Sequence, residues 1–67
     1  MTQVKLDVPE ISCDHCKMSI EGAVGELDGV ARVEVSVADK TVDVEFADSL
    51  TQTDIITAIE EQGYAVA

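Results

Sequence analysis

Three stretches of this chain alternate between apolar and polar residues, and two others repeat at the helical period. From Gln3 to Val8 the apolar positions are Val4, Leu6 and Val8, with Gln3, Lys5 and Asp7 as the polar positions. That period of two predicts a strand with one buried face. Pro9 ends it, because proline has no N–H to give to a ladder, and Pro9 to Ser12 forms a loop. From Cys16 the period lengthens. Cys16, Ile20, Ala23, Val24 and Leu27 fall along one face of a helix. Gly22 and Gly25 each weaken that helix by roughly 1 kcal/mol relative to alanine, so tertiary packing must hold it. Asp28-Gly29 stops it.

Arg32 to Val37 alternates again, with Val33, Val35 and Val37 on one face. Ala38-Asp39-Lys40 reads as a short hairpin turn, and Thr41 to Phe46 alternates with Val42, Val44 and Phe46 inward. Thr51 followed by Asp54 resembles a capping box with the shorter acid. The helix it opens has Ile55, Ala58, Ile59 and Gln62 on one face, with Ile56 beside them, and Gly63 is placed as its C-terminal cap. Tyr64 to Val66 is predicted as a short final strand. The order is then βαββαβ. Its long strands are apolar on one face only, so both helices should lie on one side of a four-stranded antiparallel sheet. This is an α+β, ferredoxin-like arrangement of two strand-helix-strand halves of about 30 residues each. A single domain should span residues 1–67, and only its first half carries cysteines.

Charge narrows the range of partners. Fourteen acids against four bases leave a formal net charge of −10. Such a surface repels nucleic acid and anionic membranes and would steer the protein toward a basic face, although solubility alone also accounts for it. No apolar run approaches the ~18 residues of a spanning helix, so no membrane insertion is expected. The N-terminus lacks the basic head and apolar run of a secretory signal, which points to the cytoplasm. The starting Met1 and the end just after the last strand suggest a complete small protein.

The chemistry is concentrated in the stretch Ile11-Ser12-Cys13-Asp14-His15-Cys16, which holds both cysteines and the only histidine. A disulfide across so short a loop would restrain little of the unfolded chain, so the pair does not read as a staple. A loop meeting a helix start favours thiolate over thiol, through free backbone N–H groups and the helix dipole. Thiolate is both metal ligand and nucleophile, so spacing alone leaves metal binding and redox work open. Two soft thiolates suit Cu(I), whereas a closed zinc site wants four ligands. His15 is a candidate auxiliary ligand or tuning group, and otherwise an exposed spacer. Asp14 is a candidate oxygen donor, and otherwise a helix N-terminal acid. Met18 is expected to pack at the surface or core edge.

The chain resembles the heavy-metal-associated domain family, and within it the bacterial copper chaperones. The likeness rests on Glu10-Ile11-Ser12-Cys13-Asp14-His15-Cys16 against the family's Gly-Met-Thr/Ser-Cys-x-x-Cys. It extends to Asp28-Gly29-Val30, Val33-Glu34-Val35, Ala58-Ile59-Glu60 and Gly63-Tyr64, across essentially the whole chain. The resemblance implies Cu(I) held by Cys13 and Cys16 and passed to the metal-binding domain or docking face of a copper-transporting P-type ATPase. It also implies that Tyr64 sits beside the metal loop as a shield or hydrogen-bond donor. Two positions depart from the pattern. Ile11 replaces a core methionine at similar volume. Glu10 replaces glycine and adds a carboxylate that would pull mildly toward a harder ion. Ser12 stands where zinc- or cadmium-selective relatives carry an acid, which favours copper.

The expectation is therefore a Cu(I) metallochaperone and not an enzyme, monomeric without metal and able to form a metal-bridged homodimer. The rivals are a carrier of Hg(II), Zn(II) or Cd(II) on the same fold, and a dithiol-disulfide oxidoreductase. Against the oxidoreductase, the chain is shorter than a thioredoxin-like fold, and Pro9 is its only proline, so none follows the cysteines.

Overall fold

The computed structural model describes residues 1–67. Strand β1 (Thr2–Asp7) leads through a loop to helix α1 (Asp14–Gly25). Strands β2 (Val30–Ser36) and β3 (Thr41–Phe46) follow as a hairpin, and helix α2 (Gln52–Glu61) completes the regular structure. The sheet order is β1-β3-β2, and both pairings are antiparallel.

The alternation predicted for the strands is realised in the register. Val4 lies opposite Val44 and Leu6 opposite Val42 on one side of β3, with Val33 and Val35 opposite the same two residues on the other. These inward side chains meet Ile20 and Val24 of α1 and Ile55, Ala58 and Ile59 of α2 in one apolar cluster. The outward positions Gln3, Lys5, Asp7, Arg32 and Glu34 are exposed. Both helices thus cover one face of the sheet, as its one-sided patterning requires. The strand β2 starts two residues earlier than its alternation suggests, because an irregularity between Val30 and Arg32 resets the phase.

Local signals set the ends of α2. Thr51 Oγ1 accepts the Asp54 N–H at 3.3 Å, and the Asp54 carboxylate accepts the Thr51 N–H at 3.0 Å, so the capping box is complete. Gly63 takes a φ of +93° and donates its N–H to Glu60 C=O at 2.9 Å, the left-handed termination that glycine adopts most readily. Helix α1 ends at Gly25, and the chain then turns through Gly29 at φ +104°.

One expectation is corrected. The sheet has three strands, not four: Tyr64 to Val66 forms no ladder. The tail still runs beside β1, where the Ala67 N–H donates to Asp7 C=O at 2.8 Å. An antiparallel continuation from that bond would set Ala65 opposite Pro9, which has no N–H to return. The Ala65 N–H is instead taken by the Glu10 carboxylate at 2.6 Å. A segment this short, facing proline, cannot extend the ladder.

Candidate metal site

Pro9 diverts the chain out of the sheet, and Ile11 anchors the loop that follows. Ile11 is fully buried in the core and donates its N–H to Val8 C=O at 3.1 Å. Isoleucine therefore occupies the core position expected for it beneath the cysteine loop. Cys13 is the N-cap of α1, with extended backbone angles and no side-chain capping bond, and its C=O accepts the N–H groups of Cys16 and Lys17. Cys13 is exposed. Cys16, one turn on, is half-buried against the core.

The two sulfurs stand 3.8 Å apart as free thiols. The capping position leaves the Cys13 side chain free, and the helical rise brings Cys16 back toward it. The Cys16 thiol is lowered to about 6. The main cause is the Tyr64 hydroxyl, placed to donate to its sulfur, followed by the Ser12 backbone and Cys13, with partial burial opposing them. The Tyr64 phenol is correspondingly pushed up, first by that hydrogen bond and then by its own desolvation and by the charge on Cys16. The two shifts agree physically: a donor O–H stabilises the thiolate and is itself harder to ionise beside it.

The other candidate residues are spread around this pair. Ser12 contributes its backbone to Cys16. Asp14 and His15 are exposed in the first turn of α1. No cluster of three or more His, Cys, Asp and Glu side chains is arranged to hold a metal. Met18 is 69% exposed and so lies at the surface. Glu10, expected as a further carboxylate near the site, is committed to the Ala65 N–H. Ser19 also interacts with Tyr64; its position three residues after Cys16 on the same helix face was the available signal for it. The site lies on the surface, and the fold has no pocket.

Comparison with known proteins places this arrangement in a family. The model of the heavy-metal-associated domain matches residues 5–65. The chain is 50% identical over 68 residues to the copper chaperone CopZ of Bacillus subtilis, covering 100% of this chain and 99% of the relative. It superposes on the solved CopZ metallochaperone with a TM-score of 0.94 at 37% identity, covering 98% of this chain and 100% of that one. A copper-binding domain from HMA7, a P-type ATPase, has the same fold at a TM-score of 0.94 and 26% identity, covering 100% of this chain and 92% of that one. With the family model spanning nearly its whole length, and with a free thiol pair at the start of its first helix, this chain belongs to the heavy-metal-associated domain family.

Proposed function

We propose that this protein is a cytoplasmic Cu(I) metallochaperone that delivers its ion to the metal-binding domain of a copper-transporting P-type ATPase. The observation that carries this reading is the pair of free thiols at the surface, 3.8 Å apart at a helix start, with no His, Asp or Glu side chain clustered with them to hold a metal. Two thiolates and nothing harder suit a soft monovalent ion, whereas a structural zinc site would need two further ligands. The copper-chaperone relatives and the copper-binding ATPase domain of the same fold support the choice of cargo and partner.

The chemistry is ligand exchange without a change of oxidation state. Cu(I) binds as thiolate sulfurs replace the ligands it arrived with, and any remaining thiol proton leaves to solvent. Sulfurs about 2.3 Å from an ion, the usual Zn–S distance, can lie up to about 4.6 Å apart, so the pair needs little movement to share one ion. In transfer, a partner thiolate adds to give three-coordinate copper, and one of the original bonds then breaks. Cys13, the exposed member, is the first to be displaced, and Cys16, held by Tyr64, is the last. The open face also leaves room for the cysteines of a second copy, so an apo monomer can become a copper-bridged dimer.

Anaerobic titration of the reduced protein with Cu(I) against a chromophoric chelator, in excess Zn(II), tests the reading. One tightly held Cu(I) per chain, lost in Cys13→Ser and in Cys16→Ser, is expected. Displacement by zinc would overturn the copper assignment in favour of a harder-ion carrier. Catalytic reduction of insulin disulfides would overturn the carrier reading in favour of an oxidoreductase.

A further inference from the structure

We infer that Glu10 is a positioning residue: its carboxylate latches the C-terminal tail through the Ala65 N–H and so holds Tyr64 against the cysteine pair, slowing copper release. The copper part of this inference rests on the metallochaperone reading above; the latch itself does not.

The argument begins with the tail. Residues 64–67 follow a helix that ends at Glu61, and they form no strand. Without a ladder the tail is anchored by the packing of Tyr64 and Val66 against the core and by two hydrogen bonds. At its end, the Ala67 N–H reaches Asp7 C=O at 2.8 Å. Directly after Tyr64, the Ala65 N–H reaches Glu10 Oε1 at 2.6 Å, across 55 residues of sequence. That second bond is charge-assisted and short, the stronger class of hydrogen bond. It joins the cysteine loop, three residues before Cys13, to the residue next to Tyr64. Tyr64 itself packs half-buried against the core. Gly63, at φ +93°, is the flexible point at which an unlatched tail would swing away.

Glu10 is exposed and makes no other side-chain hydrogen bond, so its acid is spent on the tail. The resemblance places a glycine at this position, which has no side chain with which to make the bond. The latch is thus a device of this chain's own residues. A ring held beside an exposed Cu(I)–thiolate pair hinders the approach of an incoming thiol, so freeing the tail should speed exchange.

The test compares Glu10→Ala and Glu10→Gln with the unaltered protein, with and without Cu(I). Glutamine keeps an acceptor oxygen without the charge and should restore the bond in part. Hydrogen exchange at the Ala65 amide and acrylamide quenching of Tyr64, the chain's only tyrosine in the absence of tryptophan, read the latch without copper. Stopped-flow transfer of Cu(I) to a chelator reads its consequence. In Glu10→Ala, Ala65 exchange should quicken about tenfold, as expected for loss of roughly one charge-assisted hydrogen bond. Tyr64 quenching should rise and Cu(I) transfer should accelerate severalfold, while Glu10→Gln falls between Glu10→Ala and the unaltered protein on all three. Unchanged Ala65 exchange in Glu10→Ala would overturn the latch. A freed tail with unchanged transfer would overturn its role in copper release. Failure of the unaltered protein to hold Cu(I) would overturn the metallochaperone reading and that role together, leaving the amide data to decide the latch alone.

Discussion

Cys16 carries the sharpest prediction at the scale of single residues. Its thiol sits at about 6, chiefly because of the Tyr64 hydroxyl. Above that pH it is a nucleophilic thiolate; below it, a slow-reacting thiol. Alkylation of the metal-free protein, followed by mass spectrometry across pH, should therefore show a reactive cysteine with a midpoint near 6. Removing the principal donor in Tyr64→Phe should move that midpoint upward; an unmoved midpoint would assign the effect to the Ser12 and Cys13 groups instead. The sign for folding follows from the same shift. A depressed pKa in the folded state contributes stability that is fully present above the ordinary thiol value and is lost as pH falls toward about 6. The cysteine pair was legible from its position ahead of a helical pattern. The use of Glu10 was not, because its partner lies 55 residues away and is a backbone N–H that any residue but proline would offer.

Two glycines make opposite predictions at the scale of elements. Gly22 lies inside α1, and a Cβ there would meet nothing within 4 Å. Gly22→Ala should stabilise the protein by about 1 kcal/mol, the helix-propensity difference. Gly29 sits at φ +104° between α1 and β2, where a Cβ would come within 3.2 Å of Ser49 Oγ and 3.3 Å of Leu50 Cδ1. Gly29→Ala should destabilise by about 1–3 kcal/mol, from backbone strain and crowding together. Urea denaturation midpoints moving in opposite directions would confirm the pair; a stabilising Gly29→Ala would refute the strained turn. Helix α2 was readable in advance because its start and stop signals are local: Thr51, Asp54 and Gly63 act within one turn of themselves. The tail has a strand-like pattern but forms no strand, for the converse reason. Pairing depends on what the neighbour offers, and the neighbour there is Pro9.

At the scale of the whole molecule, twelve buried apolar residues form the core. A protein this small has little stability to spare. Ile59 is fully buried between the helices and the sheet. Ile59→Ala should cost about 2–5 kcal/mol, enough to bring much of the population near unfolding. Thermal melts should show this loss, and Cu(I) should partly restore the melting temperature, because a ligand bound only by the folded state stabilises it by mass action. Loss of stability without rescue by Cu(I) would show that binding does not require the folded site. The net charge of −10 acts at this scale too. Association with a basic docking face should slow as salt is raised, whereas with a neutral face it should be nearly insensitive.

The sequence by itself determined the types of the two helices and three long strands, the inward faces of those strands, the caps of α2 and the placing of Cys13 and Cys16 together at a helix start. All of these follow from neighbours within a few residues, where spacing and side-chain chemistry act directly. Only the tertiary structure decided that the tail hangs beside the sheet as a tethered segment, that Glu10 serves as its tether, and that Cys16 is the thiol lowered by Tyr64, whose place beside the metal loop the resemblance had implied. Those depend on which groups the fold brings together across the chain. A hydrogen bond gains only where both partners arrive in geometry, and a linear pattern carries no record of that distance.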